Sequence, residues 1–119
     1  MKNTKQIGDA GEEFVCRYLQ RKGYKIAERN FRIRVAEVDI IASKKDLLVF
    51  VEVKMRKDDT FSKAFEAVNG AKQRKIRMAA EAYLAKAENR DKNARFDVAE
   101  VYGTLESKKL KLNYLANAF

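Results

Sequence analysis

Three observations predict an α/β layered domain with a mixed sheet for this 119-residue chain. Helix-like and strand-like patterns follow one another in the order α-β-β-β-α-β-β. The segment Leu47–Lys54 reads as a core strand, with Leu48 and Phe50 on one face and Val49, Val51 and Val53 on the other. A helical segment separates the third strand from the fourth, which predicts a parallel crossover between them. The length suits one domain spanning residues 1–119.

The first helix is predicted over Asp9–Lys22. Asp9 followed by Glu12 resembles a capping box, and Ile7, Gly11, Phe14, Val15 and Tyr18 form an apolar stripe. Glu12 lies on the flank of that stripe. Spacing alone favours a plain helix-terminal acid there over a site residue. Gly23 suits the helix stop. Tyr24–Ile33 is the first strand, with Arg29, Arg32 and Arg34 crowding its end, and Glu37–Ala42 is the second. Ser43-Lys44-Lys45-Asp46 forms the turn of an antiparallel hairpin into the core strand.

Beyond Lys54 the chain becomes a charged loop, and Ser62 is placed to cap a short helical turn ending at Val68. A longer helix is predicted over Ala71–Ala87. Ile76, Ala79, Ala80, Tyr83, Leu84 and Ala87 form its buried stripe. One turn back, that stripe lands on Lys72 and Gln73, which project towards the sheet, while Arg74, Lys75 and Arg77 face solvent. Phe96–Tyr102 alternates as a fourth strand, and Leu110, Leu112 and Tyr114 as a fifth.

Composition narrows the chemistry. Histidine is absent, which removes imidazole acid–base work, Ser-His-Asp triads and most zinc sites. The lone Cys16 excludes an internal disulfide and fits a reducing compartment; in its helical pattern it reads as a small core residue. No signal peptide and no transmembrane-length apolar run is apparent, so a cytoplasmic chain without a membrane partner is expected. The excess of 26 Lys and Arg over 17 Asp and Glu favours a polyanionic partner, nucleic acid first.

Within the core strand, Glu52 and Lys54 share the Leu48 and Phe50 face, where charges are costly without partners. Asp39 sits in the equally apolar run Val38–Ile41. A hairpin could bring Asp39 beside Glu52, although register is not readable from sequence. Two carboxylates with a lysine suit a Mg²⁺ site, with Glu12 as a further carboxylate and Glu37 as a ligand or supporting group. Lys54 would orient the attacking water or stabilise charge on the phosphate, and Gln73 and Lys72 would contact the water or a phosphate oxygen. From Lys54 to Arg77 there are eight Lys and Arg against three Asp and Glu. Arg32, Arg34, Arg56, Lys57, Lys72, Arg74, Lys75 and Arg77 are the candidate nucleic-acid contacts. The competing reading of the same residues is a structural ion-pair network at a sheet edge.

The strand Val51-Glu52-Val53-Lys54 with Arg56, the upstream Ala36-Glu37-Val38-Asp39-Ile40-Ile41 and Gly8-Asp9-Ala10-Gly11-Glu12 resemble the bacterial YraN family. Gly23 with Asn30 and Arg32, Ala67-Val68, Lys72-Gln73, Arg95-Phe96-Asp97-Val98 and Asn117-Ala118-Phe119 extend the match over nearly the whole chain. The resemblance implies a restriction-endonuclease-like fold of the PD-(D/E)XK nuclease superfamily, similar to archaeal Holliday-junction resolvases. It implies that Asp39 is the metal-binding aspartate, Glu52 and Lys54 the acid-x-lysine pair, and Glu12 the helical glutamate. Ala36 departs from the glycine usual there. The expectation is a Mg²⁺- or Mn²⁺-dependent endonuclease acting on DNA, selective for branched or junction structures and dimeric by analogy. The alternatives are a non-catalytic nucleic-acid-binding or adaptor protein with this fold, and a structural partner in a larger complex.

Overall fold

A computed structural model describes residues 4–56, 68–103 and 110–119. The elements run α1 (Thr4–Arg21), β1 (Lys25–Ile33), β2 (Ala36–Lys44), β3 (Leu47–Arg56), α2 (Gly70–Leu84), β4 (Asn93–Tyr102) and β5 (Lys111–Leu115), with a short 3-10 turn at Ala87–Asn89. The expected order α-β-β-β-α-β-β holds. The helical turn expected from Ser62 and the candidate phosphate contact Lys57 lie outside the described residues. Among the described residues, no helix is long and apolar enough to cross a membrane.

Helix α1 begins at Thr4, five residues before the expected cap. Lysine and glutamine are good helix formers, so the helix continues upstream through Lys5 and Gln6. Asp9 is therefore an interior helix residue, and Glu12 lies well past the first turn. This overturns the capping-box reading and the dipole explanation for Glu12. Gly23 ends the helix as expected, at φ 94, where a side chain would be strained. Helix α2 is capped by Asn69, whose side chain accepts from the Lys72 amide at 3.0 Å. It stops at Leu84 rather than Ala87. Buried Asn89 then donates its side-chain amide at 2.9 Å to the Tyr83 carbonyl, which also accepts from the Lys86 amide.

The sheet has the order β1-β2-β3-β4-β5. Every neighbouring pair is antiparallel except β3 and β4, which run parallel as a crossover requires. Its two faces carry separate cores. Val15, Cys16 and Leu19 of α1 pack on Ile40, Ala42, Val49, Val51, Ala99 and Val101. Ile76, Ala79, Ala80 and Tyr83 of α2 pack on Leu48, Phe50, Phe96 and Val98. The face that Glu52 and Lys54 share with Leu48 and Phe50 is thus the α2 face.

Candidate active site

The site forms where β2 and β3 part. Their pairing runs from Lys44 opposite Leu47 to Ile40 opposite Val51, and stops. Asp39 and Glu52 are the next residues along each strand, so the first position beyond the ladder is an acid on both sides. Beyond it, β3 stays paired with β4 through Arg56, and β2 stays paired with β1 through Ala36. The Val53 amide, left without a β2 carbonyl, donates to Asp39 Oδ2 at 2.8 Å. A carboxylate side chain therefore replaces a ladder bond at the fork.

The two acids share a cleft of about 240 Å³ with Ala36, Glu37, Lys72 and Lys75. Glu52 is only 4% exposed, and Lys72 Nζ reaches it from the first turn of α2, 2.5 Å from Oε1. Burial and the nearby Glu52 charge push the Asp39 carboxyl up to about 7, although the Val53 amide and Lys72 oppose the shift. Lys54 is pushed below the usual lysine range by burial and by the neighbouring Lys72 ammonium. Burial disfavours the charge on Lys72 too, but its hydrogen bond and attraction to Glu52 outweigh it, and its affinity for the proton rises. The two lysines are thus shifted in opposite directions, Lys72 upward and Lys54 downward.

Glu12 approaches from the opposite face, on α1. Burial raises its pKa, and the Asp39 charge raises it further, while Asn30 and Arg29 oppose the shift. Glu12 Oε1 has no hydrogen-bond partner among the described residues; Arg29 Nη2 stands off at 3.7 Å. Gly11 of α1 packs against the Met55 side chain of β3, which would have to shift to admit a methyl group there. Asn30, at φ 55, falls opposite Asp39 in a gap of the β1–β2 ladder, between the Arg29–Ile40 and Phe31–Val38 pairs.

The other sequence candidates divide. Glu37 lines the cleft but is paired with Arg32 at 2.9 Å. Lys75 lines the cleft and is exposed, as is Arg74 nearby, and Arg34 is exposed in the β1–β2 turn. Gln73 does not line the cleft; its side-chain amide donates to the Val68 carbonyl at 2.9 Å, ordering the chain ahead of α2. Arg56 is held by fully buried Glu100 at 3.1 Å. Arg77 is exposed as expected, with its guanidinium over the rings of Phe96 and Phe119, 4.5 and 5.5 Å from their centroids. Sequence reasoning missed Asn30 as a partner of Glu12 and Glu100 as a partner of Arg56. Glu100 carried the same signal as Glu52, an acid in an apolar alternating strand.

The donor set around the fork is anionic oxygen, the kind that a hard divalent cation takes. The raised Asp39 carboxyl and the orphaned Glu12 oxygen are groups that such a cation would relieve, so the residues fit Mg²⁺ or Mn²⁺. Among the described residues, no three acids, histidines or cysteines gather closely enough to hold a metal unaided. Asp39 and Glu52 would then be the protein ligands, with water completing the shell.

A mixed five-stranded sheet flanked by helices in this order is consistent with a restriction-endonuclease-like α/β domain. Residues 11–101 match the model of "Uncharacterised protein family UPF0102". A UPF0102 protein of Alkaliphilus oremlandii is 47% identical over 120 residues, covering 98% of this chain and 99% of that one. One from Caldanaerobacter subterraneus subsp. tengcongensis is 43% identical over 118 residues, covering 98% and 97%. A third, from Clostridium acetobutylicum, is 44% identical over 116 residues, covering 98% and 95%. The chain belongs to the UPF0102 family, which is the YraN family of the sequence resemblance.

Proposed function

We propose that the chain is a Mg²⁺- or Mn²⁺-dependent endonuclease that hydrolyses DNA phosphodiester bonds, with branched or junction DNA as its preferred substrate. The observation that carries this reading is the acid pair Asp39 and Glu52 at the strand fork, with Lys54 on the Glu52 face of the sheet. Asp39 and Glu52 would hold the ion, and Glu12 would act on it through water. When bound, the ion polarises the phosphodiester and acidifies a water. Lys54 would orient the attacking water or stabilise the charge growing on the phosphate. Lys72, firmly charged, leaves Glu52 and stabilises the charge growing on the phosphate. Lys75 and Arg74 at the mouth of the cleft would hold neighbouring phosphates, contacts that carry no sequence preference.

The test is incubation of purified protein with junction, nicked and linear DNA in Mg²⁺, Mn²⁺ or EDTA. Cleavage in either metal and none in EDTA is expected, and Asp39→Asn or Glu52→Gln abolishes it. Cleavage that survives both substitutions would sink this assignment. One observation favours a second reading. Lys72 already neutralises Glu52, and the described residues hold no three-acid cluster, as in a fold kept for binding alone. That reading requires salt-sensitive DNA binding, no turnover and no response to Mn²⁺.

A further inference from the structure

A second polar cavity lies on the other face of the sheet, against α1, and the proposed chemistry leaves it unused. It holds about 260 Å³ and is walled chiefly by Tyr18, Lys22, Tyr24, Lys44, Arg95 and Tyr114. Lys44 pairs with Leu47, and Glu52 lies five residues further along β3, roughly 17 Å away at strand spacing. The two sites are therefore separate in both face and position.

Three rings and three cations line this space, and none of its lining residues is an acid. Tyr18 and Tyr114 meet at 5.2 Å between centroids and form a continuous aromatic wall. Arg95 is locked in place. Its Nε and Nη2 grip buried Asp97, and Nη2 also reaches the Tyr24 hydroxyl at 3.1 Å. Tyr114 donates its hydroxyl to the same carboxylate, so the back of the cavity is rigid. Arg95 is thus largely neutralised, and the free charge comes from the two lysines. Lys22 Nζ lies 5.6 Å from the Tyr18 centroid and Lys44 Nζ 5.2 Å from that of Tyr24. Among the described residues neither lysine has a carboxylate partner. Lys44 donates one hydrogen bond, to the Lys22 carbonyl at 2.9 Å, which caps the end of α1. That cap uses one of its three donors, and it accounts neither for Lys22 nor for the cavity between the rings.

We propose that this cavity binds a nucleotide, with its phosphate between Lys22 and Lys44 and its base against the Tyr18 and Tyr114 wall. A bare anion would engage only the lysines, and an uncharged ring only the tyrosine wall. A phosphate carried on a planar base uses both, by charge-assisted hydrogen bonds and by stacking. A free nucleotide and the terminal nucleotide of a DNA strand share this chemistry. The inference stands on this cavity alone and does not depend on cleavage at the strand fork.

The test is an amide NMR titration of the full chain in EDTA. The probes are inorganic phosphate, deoxyadenosine, deoxyadenosine monophosphate and a terminally phosphorylated short oligodeoxyadenylate. Deoxyadenosine monophosphate is expected to shift Tyr18, Lys22, Tyr24 and Lys44, leave Asp39 and Lys72 in place, and bind about tenfold tighter than phosphate or deoxyadenosine. Lys22→Glu, at an exposed position, weakens that binding about tenfold while the amide spectrum away from the cavity stays that of the wild type. Tyr18→Leu weakens the nucleotide but not phosphate. An oligonucleotide that binds more tightly than the mononucleotide supports a strand end as the source, and equal affinity supports the free nucleotide. Phosphate binding as well as the nucleotide, shifts confined to the Asp39 cleft, or unchanged binding by Lys22→Glu would each overturn the proposal.

Discussion

Lys72 Nζ lies 2.5 Å from Glu52 Oε1, joining the first turn of α2 to the acid at the strand fork. The ammonium sits where a positive charge is most needed, against a carboxylate only 5% exposed at its side chain. Lys72→Met keeps the aliphatic stem and removes the charge. Stability in EDTA should fall by about 1–2 kcal/mol, less than for a fully buried pair because the Lys72 side chain is 40% exposed. If the acids hold a metal as proposed, Mn²⁺ restores part of the loss and binds the variant more tightly than wild type, since no ammonium competes. Urea unfolding with EDTA and with Mn²⁺ measures both effects. A variant as stable as wild type in EDTA would remove the ion pair from the account.

Asp39 makes stability depend on pH. Its carboxyl is raised to about 7 in the folded chain, mainly by burial, against an ordinary value of 3.8. Between these values the native state holds a proton that the unfolded chain has released. Stability therefore falls as pH rises through this window, and the full cost is present above it. Asp39→Asn removes the titration and keeps an oxygen for the Val53 amide. The variant should match wild type near about pH 4 and exceed it by about 1–2 kcal/mol near about pH 8, while losing cleavage. Denaturation curves across that range would show stabilities that diverge as pH rises, and parallel pH dependences would contradict it.

Glu12 and Asp39 repel each other across the sheet. Glu12→Gln and Asp39→Asn each relieve that repulsion, so their gains in stability should not add. The double variant is expected to fall short of the sum by about 0.5–1.5 kcal/mol near neutral pH. A double-mutant cycle by chemical denaturation measures the difference, and strict additivity would mean that α1 does not bring Glu12 to the fork.

Arg56 and Lys75 should behave differently despite equal charge. Arg56 is held by fully buried Glu100, so Arg56→Gln costs about 1–3 kcal/mol of stability and leaves the salt dependence of DNA binding unchanged. Lys75 is exposed at the cleft, so Lys75→Gln leaves stability alone and lowers the salt slope by about one. Binding isotherms over a range of salt separate the two.

Much of the fold is legible along the chain, because its signals are local. Alternation through Leu48, Val49, Phe50 and Val51 assigns the two faces of β3, and the short break before Leu47 dictates a hairpin. The stripe of Ile76, Ala79, Ala80 and Tyr83 assigns the face of α2. Helix ends are less legible, because a cap is one favourable contact among several. Asp9 has the sequence of a cap, yet good helix formers upstream carry α1 past it. Asn69 caps α2 where the sequence suggested only an approximate start.

The sequence by itself determined which side chains are out of place: acids at Asp39 and Glu52, and a lysine at Lys54, all in apolar strands. Only the tertiary structure decided what each one faces. The end of the β2–β3 ladder sets Asp39 beside Glu52, the packing of α2 delivers Lys72 to Glu52, and the packing of α1 brings Glu12 towards Asp39. It also assigned Arg56 to Glu100, removing it from the free cations of the surface, and laid exposed Arg77 over two rings. Charge and periodicity are properties of neighbouring residues. Register and helix docking are set by the packing of both sheet faces at once, and no local stretch of sequence contains them.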